Sequence, residues 1–182
     1  LDNMIDLSHY PLEAQRQEAM AKRRVGLGIT GLGDALAMCG ERYDSPRAVA
    51  LAEHWMSDIA TRAYAASAEI AAEKGAFPLY DAAAFQAAPN VARLPEDVRN
   101  LITKHGIRNG CLTSIAPTGT ISLLAGNISS GIEPIFDLSY TRRIRDTGDS
   151  YREEVVEDHA YRMFRRQAGA SAPLPTAFVT AM

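Results

Sequence analysis

From Ser114 to Pro134 the chain reads SIAPTGTISLLAGNISSGIEP, with three glycines, two prolines, a run of hydroxyls and a single charge, Glu133. Such residues suit the binding of an anion without lysine or arginine. Cys111 to Ala116 reads as a buried strand that runs into Pro117-Thr118-Gly119-Thr120, and TISLLAG then reads as a short helix or turn. The first amides of a helix lack intrahelical acceptors and sit at the positive end of its dipole. Gly119 has no side chain, so an anion can approach the backbone there. Thr118, Thr120 and Ser122 can add hydroxyl donors. The expected ligand is a phosphate; the plainer alternative is that Thr118 only caps a helix. Glu133, in SSGIEP, is either a carboxylate of the same pocket or a solvated residue at a strand start.

The remaining candidate chemistry is weaker. VGLGITGLG contains G-x-G-x-x-G at Gly26, Gly28 and Gly31. A dinucleotide site needs a hydrophobic strand before this motif and an acid about 20 residues after it. AMAKRR precedes it, and only Asp44 stands near the second position, in a helix-cap sequence. The glycines are better read as close backbone packing at a strand end. Cys39 and Cys111 have no metal-ligand or disulfide spacing and read as buried, inert thiols. His9, His54, His105 and His159 are scattered, so no metal is assigned.

The totals set bounds. The chain has 182 residues, a net charge of -3, 47% hydrophobic and 23% charged residues, ordinary for about one domain. An acidic balance argues against a nucleic-acid surface. The arginines between Arg142 and Arg166 are interleaved with acids, as on a solvated mixed-charge face. No apolar run approaches the ~20 residues that span a bilayer, and no signal peptide is visible. A cytoplasmic setting is the expectation. The chain opens at Leu1 and stops inside LPTAFVTAM, a strand or buried turn, which suggests a piece of a longer protein.

Helices and strands alternate in the elements that must position the turn, which favours α/β. Pro11–Arg24 carries strong helix formers after a proline. LGDALAM is a short helix closed by Gly40. Ser45 caps a long helix that starts at Pro46 and ends at Lys74 and Gly75. Val49, Ala52, Met56, Ile59, Ala63, Ala66 and Ile70 form its apolar stripe. Asp81–Ala87 is a short helical piece, and PEDVRNLITKHG a compact helix with Val98, Leu101 and Ile102 inward. Glu133–Arg145 reads as a strand, DTGDS as a turn, and Tyr151–Gln167 as a last amphipathic helix.

Four stretches, LDNMIDLSHYPLEAQRQEAMAKRRVGLGITGLGDAL, AEKGAFP, HGIRNGCLTSIAPTGTISLLAGNISSGIEPIF and YTRRI, together resemble ribonucleotide reductase, in its adenosylcobalamin-dependent branch. The likeness runs in order over nearly the whole chain, and APTGTIS followed by SSGIEP is a specific pairing. It implies that residues 1–182 are a single fragment of a larger catalytic barrel domain: the helix-rich second half of a ten-stranded α/β barrel around a finger loop. It also implies that Pro117, Thr118, Gly119, Thr120 and Ile121 hold the phosphates of a ribonucleotide substrate, with Ser122 and Glu133 as further candidates for the pocket.

Enzymes of the family make 2′-deoxyribonucleotides for DNA synthesis by thiyl-radical chemistry. The radical sits on a finger-loop cysteine, a cysteine pair supplies electrons, adenosylcobalamin makes the radical, and a thioredoxin-like reductant is the expected partner. The finger loop and the redox pair match nothing in this chain, and Cys39 and Cys111 fall in neither motif. No catalytic residue is therefore assigned, and the chain alone is expected to be inactive. Half a barrel leaves strand edges uncovered, so self-association or docking of the missing half is expected. The alternative is a non-catalytic nucleotide-binding or interaction module derived from the barrel. Whether the substrate is a diphosphate or a triphosphate stays open.

Overall fold

The structure, a computed structural model, describes residues 1–181. The helices are α1 (Asp2–Leu7), α2 (Glu13–Lys22), α3 (Leu32–Met38), α4 (Pro46–Lys74), α5 (Ala82–Gln86), α6 (Pro89–Ala92), α7 (Glu96–His105), α8 (Gly119–Leu124) and α9 (His159–Ala168). The strands are β1 (Ser139–Arg145) and β2 (Tyr151–Glu157). They fall into two compact units: residues 1–27 with 54–114, and residues 28–53 with 115–182. The unit boundary at residues 53 and 54 falls within α4.

In the first unit, Ala68, Val91, Val98, Ile102, Ile107 and Leu112 form the core, with Phe77, Tyr80 and Phe85 packed edge to face beside it. The apolar spacing of PEDVRNLITKHG sets which face of α7 turns inward, and Gly106 (φ +73°) ends that helix. Val25–Leu27 runs parallel to Cys111–Ser114: the Val25 amide donates to Cys111 O (2.9 Å), Leu27 to Leu112 O (2.8 Å), and Ser114 to Leu27 O (3.0 Å). A Cβ on Gly26 would stand 2.7 Å from Ser114 Oγ, so the glycine permits the close approach expected of it.

Arg23 is the polar centre of this unit. Only 3% exposed, it donates to Asp2 Oδ1 (2.8 Å) and, through both terminal nitrogens, to Asp6. Arg108 and Asn109 reach the same Asp2 carboxylate at 3.2 and 3.0 Å. Burial pushes the Asp2 carboxyl up, but hydrogen bonds from Arg23, Arg108 and Asn109 outweigh it and hold Asp2 below the usual range.

The second unit packs α3 against α9, with Leu32, Leu36, Ile135, Ala160 and Ala177 buried. Gly33 lets the chain cross α3 closely, since a Cβ there would meet Glu133 O and Ile135 N at 2.9 Å. β1 and β2 form an antiparallel hairpin in which Arg142 faces Glu154 and Arg143 faces Glu153. Opposite charges across the strands make this the expected mixed-charge surface.

The caps of α4 stand as read: the Ala48 amide donates to Ser45 Oγ (3.0 Å), and Gly75 takes φ +82°. Several expectations need correction. Tyr151–Gln167 is not one helix, because Tyr151, Val155 and Val156 pair across the Asp146–Ser150 turn as β2, and Asp158 caps a separate α9. Cys111–Ala116 makes a single bridge at Thr113 and buries only Leu112. β1 begins at Ser139, and Ile135 makes only an isolated parallel bridge to Thr180. Cys39 and Cys111 are both exposed, not buried. The chain mixes helix and strand as expected, but among the described residues only the hairpin forms a sheet, so ten strands are not seen.

Candidate functional site

The turn at 117–121 is open to solvent. Pro117, Gly119, Thr120 and Ile121 are exposed. Thr118 lies in the left-handed region (φ 52°, ψ 17°), costly for a β-branched residue, and α8 follows at once. Ser122 N returns to Thr118 O at 2.8 Å. The amides of Gly119, Thr120 and Ile121 have no acceptor among the described residues. A Cβ on Gly119 would meet nothing within 4 Å, so that side of the glycine faces open space. Three donors in sequence beside a bare backbone can wrap an oxyanion.

The Thr118 side chain does not cap α8. Its hydroxyl donates to Thr30 Oγ1 (2.9 Å), Thr30 donates to Ser129 O (3.0 Å), and the Gly131 amide donates to Thr118 Oγ1 (2.6 Å). The Gly131 amide also reaches Thr30 Oγ1 at 3.2 Å. Every proton in this relay is spent, and it holds Thr118 in its strained conformation. Gly131 must be glycine, since a Cβ there would lie 2.6 Å from Ala116 O.

The hydroxyls therefore divide. Ser122 is buried, donates to Gly119 O (2.9 Å) and touches Ser130 Oγ (3.2 Å). Ser122 and Thr118 brace the turn from inside, and of the three expected hydroxyl donors only Thr120 remains free for a ligand. Glu133 is exposed, two residues beyond Gly131, and its amide donates to Ser130 O (2.8 Å). Among the described residues no hydrogen bond or ion pair engages its carboxylate.

The G-x-G-x-x-G glycines do not form a phosphate site. α3 starts after Gly31 (φ +85°), and the amides of Gly31, Leu32 and Asp34 are taken by Ser129 O, Gly131 O and Ser129 Oγ. Among the described residues no group of three or more histidines, cysteines or acids converges as a metal site. Thr30, Ser129 and Gly131 escaped the sequence reading. The available signal was Thr30 itself, a hydroxyl in an otherwise apolar glycine-rich stretch with no local amide to bind.

Residues 1–171 match the family model described as ribonucleotide reductase, barrel domain. A vitamin B12-dependent ribonucleoside-diphosphate reductase of Mycobacterium tuberculosis is 38% identical over 89% of the chain and 23% of that protein. Its counterpart from Thermoplasma acidophilum is 36% identical over 79% of the chain and 17% of its own length. The ribonucleoside-diphosphate reductase large subunit of Arabidopsis thaliana is 32% identical over 79% of the chain and 19% of its own length. The chain thus spans about a quarter or less of the curated relatives it matches. With its match to the barrel-domain model covering nearly every residue, this chain belongs to the ribonucleotide reductase barrel family.

Proposed function

We propose that the chain is part of a ribonucleoside-diphosphate reductase and that Pro117, Thr118, Gly119, Thr120 and Ile121 cradle the phosphates of its ribonucleotide substrate. The observation that carries the reading is the row of three unpartnered amides, Gly119 to Ile121, beside a glycine with empty space around it. Phosphate oxygens accept from those amides, and the Thr120 hydroxyl adds a donor. Pro117 brings no amide of its own and fixes the entry of the chain. The inward hydroxyls of Thr118 and Ser122 keep the backbone from collapsing over its own donors. Ion pairing plays little part, since the stretch has no lysine or arginine. Gripping the charged tail fixes where the ribose lies, which is how remote binding energy serves a reaction elsewhere on the substrate.

The rest of the account concerns the larger protein. Residues 1–182 are one fragment of a ten-stranded α/β barrel that works in the cytoplasm to make deoxyribonucleotides. Thiyl-radical chemistry runs on cysteines outside this chain, a thioredoxin-like protein renews them, and the chain alone is inactive. The relatives' names imply adenosylcobalamin, which supplies radical generation when bound. No residue of this chain is assigned to that group. The missing half of the barrel, or a second copy, covers the exposed Ile115, Ile121, Leu124 and Phe136.

A second reading, a non-catalytic nucleotide-binding module, is favoured by one observation. Cys39 and Cys111 are both free, exposed thiols, and neither falls in a cysteine motif expected of the family. Turnover assays of the full product of the reading frame separate the two, using a ribonucleoside diphosphate, adenosylcobalamin and a dithiol. Deoxyribonucleotide formation supports the reductase. Nucleotide binding without turnover supports the module, and absence of both contradicts the site.

A further inference from the structure

We propose that Asp34 and Asp158 share one proton in the interior of the second unit and form a pH-sensitive latch that ties α3 and the 127–131 segment to the N-terminus of α9. Both side chains are buried, with Asp34 4% and Asp158 3% exposed. Asp34 Oδ1 accepts from Ser129 N (2.9 Å) and Oδ2 from Ala160 N (3.2 Å). The Asp34 amide donates back to Ser129 Oγ (3.2 Å). Asp158 caps α9, its Oδ1 accepting from Tyr161 N (3.0 Å), so the two carboxyls sit side by side on neighbouring amides, Ala160 and Tyr161, of one helix N-terminus.

Two carboxyls in contact need a proton between them. Both Asp34 oxygens accept from backbone N–H groups, Ser129 N and Ala160 N, and so stand as acceptors toward Asp158. Asp158 therefore carries the proton, on the oxygen that faces Asp34. Burial, with the charge of Asp34 adding to it, pushes Asp158 up to about 7.

No cation offsets the pair: among the described residues neither acid forms an ion pair. On α9, Arg162 donates to Gly126 O (2.9 Å) and lies 3.4 Å from His159 Nδ1. α3 brings no charge but Asp34, and the 127–131 segment brings none. The segments leading to Asp158 carry the exposed Glu157, on β2, and Asp137, which is turned to the Leu138 amide.

The sign follows from linkage. The unfolded chain releases this proton near the ordinary value of 3.8, whereas the folded chain keeps it to about 7. The folded state binds more protons between those values. The stabilisation is complete below the lower one and is lost as pH rises through the upper one. Above it, two adjacent buried charges repel, and parting α9 from α3 relieves them. Nothing in this depends on nucleotide binding.

The experiment is thermal unfolding of the full product of the reading frame between about pH 5.5 and 8.5, with Asp158→Asn alongside. Asparagine keeps a donor toward Asp34 and removes the titration. The wild-type midpoint should fall by several degrees across the interval, and the variant should lose that slope and melt higher than wild type at the alkaline end. A flat or rising wild-type midpoint, or an unchanged slope in the variant, would overturn the latch. Carbon-13 NMR of aspartate carboxyls in the native protein needs no variant. One carboxyl should titrate near neutrality, and a full set titrating in the ordinary range would equally end the proposal.

Discussion

The hydroxyl of Thr118 donates to the hydroxyl of Thr30, 2.9 Å away and 88 residues earlier in the chain. Through that bond the glycine-rich stretch before α3 sets the backbone of the turn before α8. Thr30→Val keeps the shape and removes the relay. Its cost in stability is about 1 kcal/mol, a typical buried hydrogen bond, but phosphate affinity should fall roughly tenfold as Thr118 relaxes. Thr30→Ser should bind as wild type does. Isothermal titration with a ribonucleoside diphosphate and a melting curve for each variant check both halves.

Gly119 and Gly131 should respond in opposite ways. A side chain at Gly119 meets open space, so Gly119→Leu should fold normally and lose nucleotide affinity by crowding the anion. At Gly131 the backbone is left-handed (φ +52°) and a Cβ would collide with Ala116 O. Gly131→Ala should destabilise by about 2–3 kcal/mol. Chemical denaturation separates the two: loss of stability in the Gly119 variant, or none in the Gly131 variant, contradicts the geometry.

Arg23→Met leaves Asp2 buried without its main partner, which should cost about 3–5 kcal/mol. The pH dependence carries the signature. Asp2 and Asp6 are both held below their ordinary value, Asp6 chiefly by its hydrogen bonds from Arg23. Their stabilisation is present above 3.8 and is lost as pH falls through the lowered values. Acid unfolding of the variant should therefore begin at higher pH than in wild type. Coincident acid transitions would show that the ion pairs carry no weight.

The sequence displayed what depends on local signals. Ser45, Pro46 and Gly75 announced both ends of α4, and Asp81 marked the start of α5, where it accepts from the Ala84 amide at 2.8 Å. It failed where distant partners decide. Val155 and Val156 fit a helical stripe as well as a strand, and only pairing with Thr141 and Tyr140 makes β2. Thr118 and Ser122 resembled ligand donors because nothing local shows that Thr30 and Gly119 O occupy them. Asp34 and Asp158 passed as an ordinary helix residue and a surface acid. A lone charge in LGDALAM, a helix otherwise apolar, was the readable hint of a buried partner.

The most direct measurement is an amide NMR titration of the protein with a ribonucleoside diphosphate, with the bare nucleoside as control. The account predicts saturable shifts centred on the Gly119, Thr120 and Ile121 amides, absent with the nucleoside and abolished in Gly119→Leu. Shifts that leave these three amides untouched while the nucleotide binds elsewhere would contradict it.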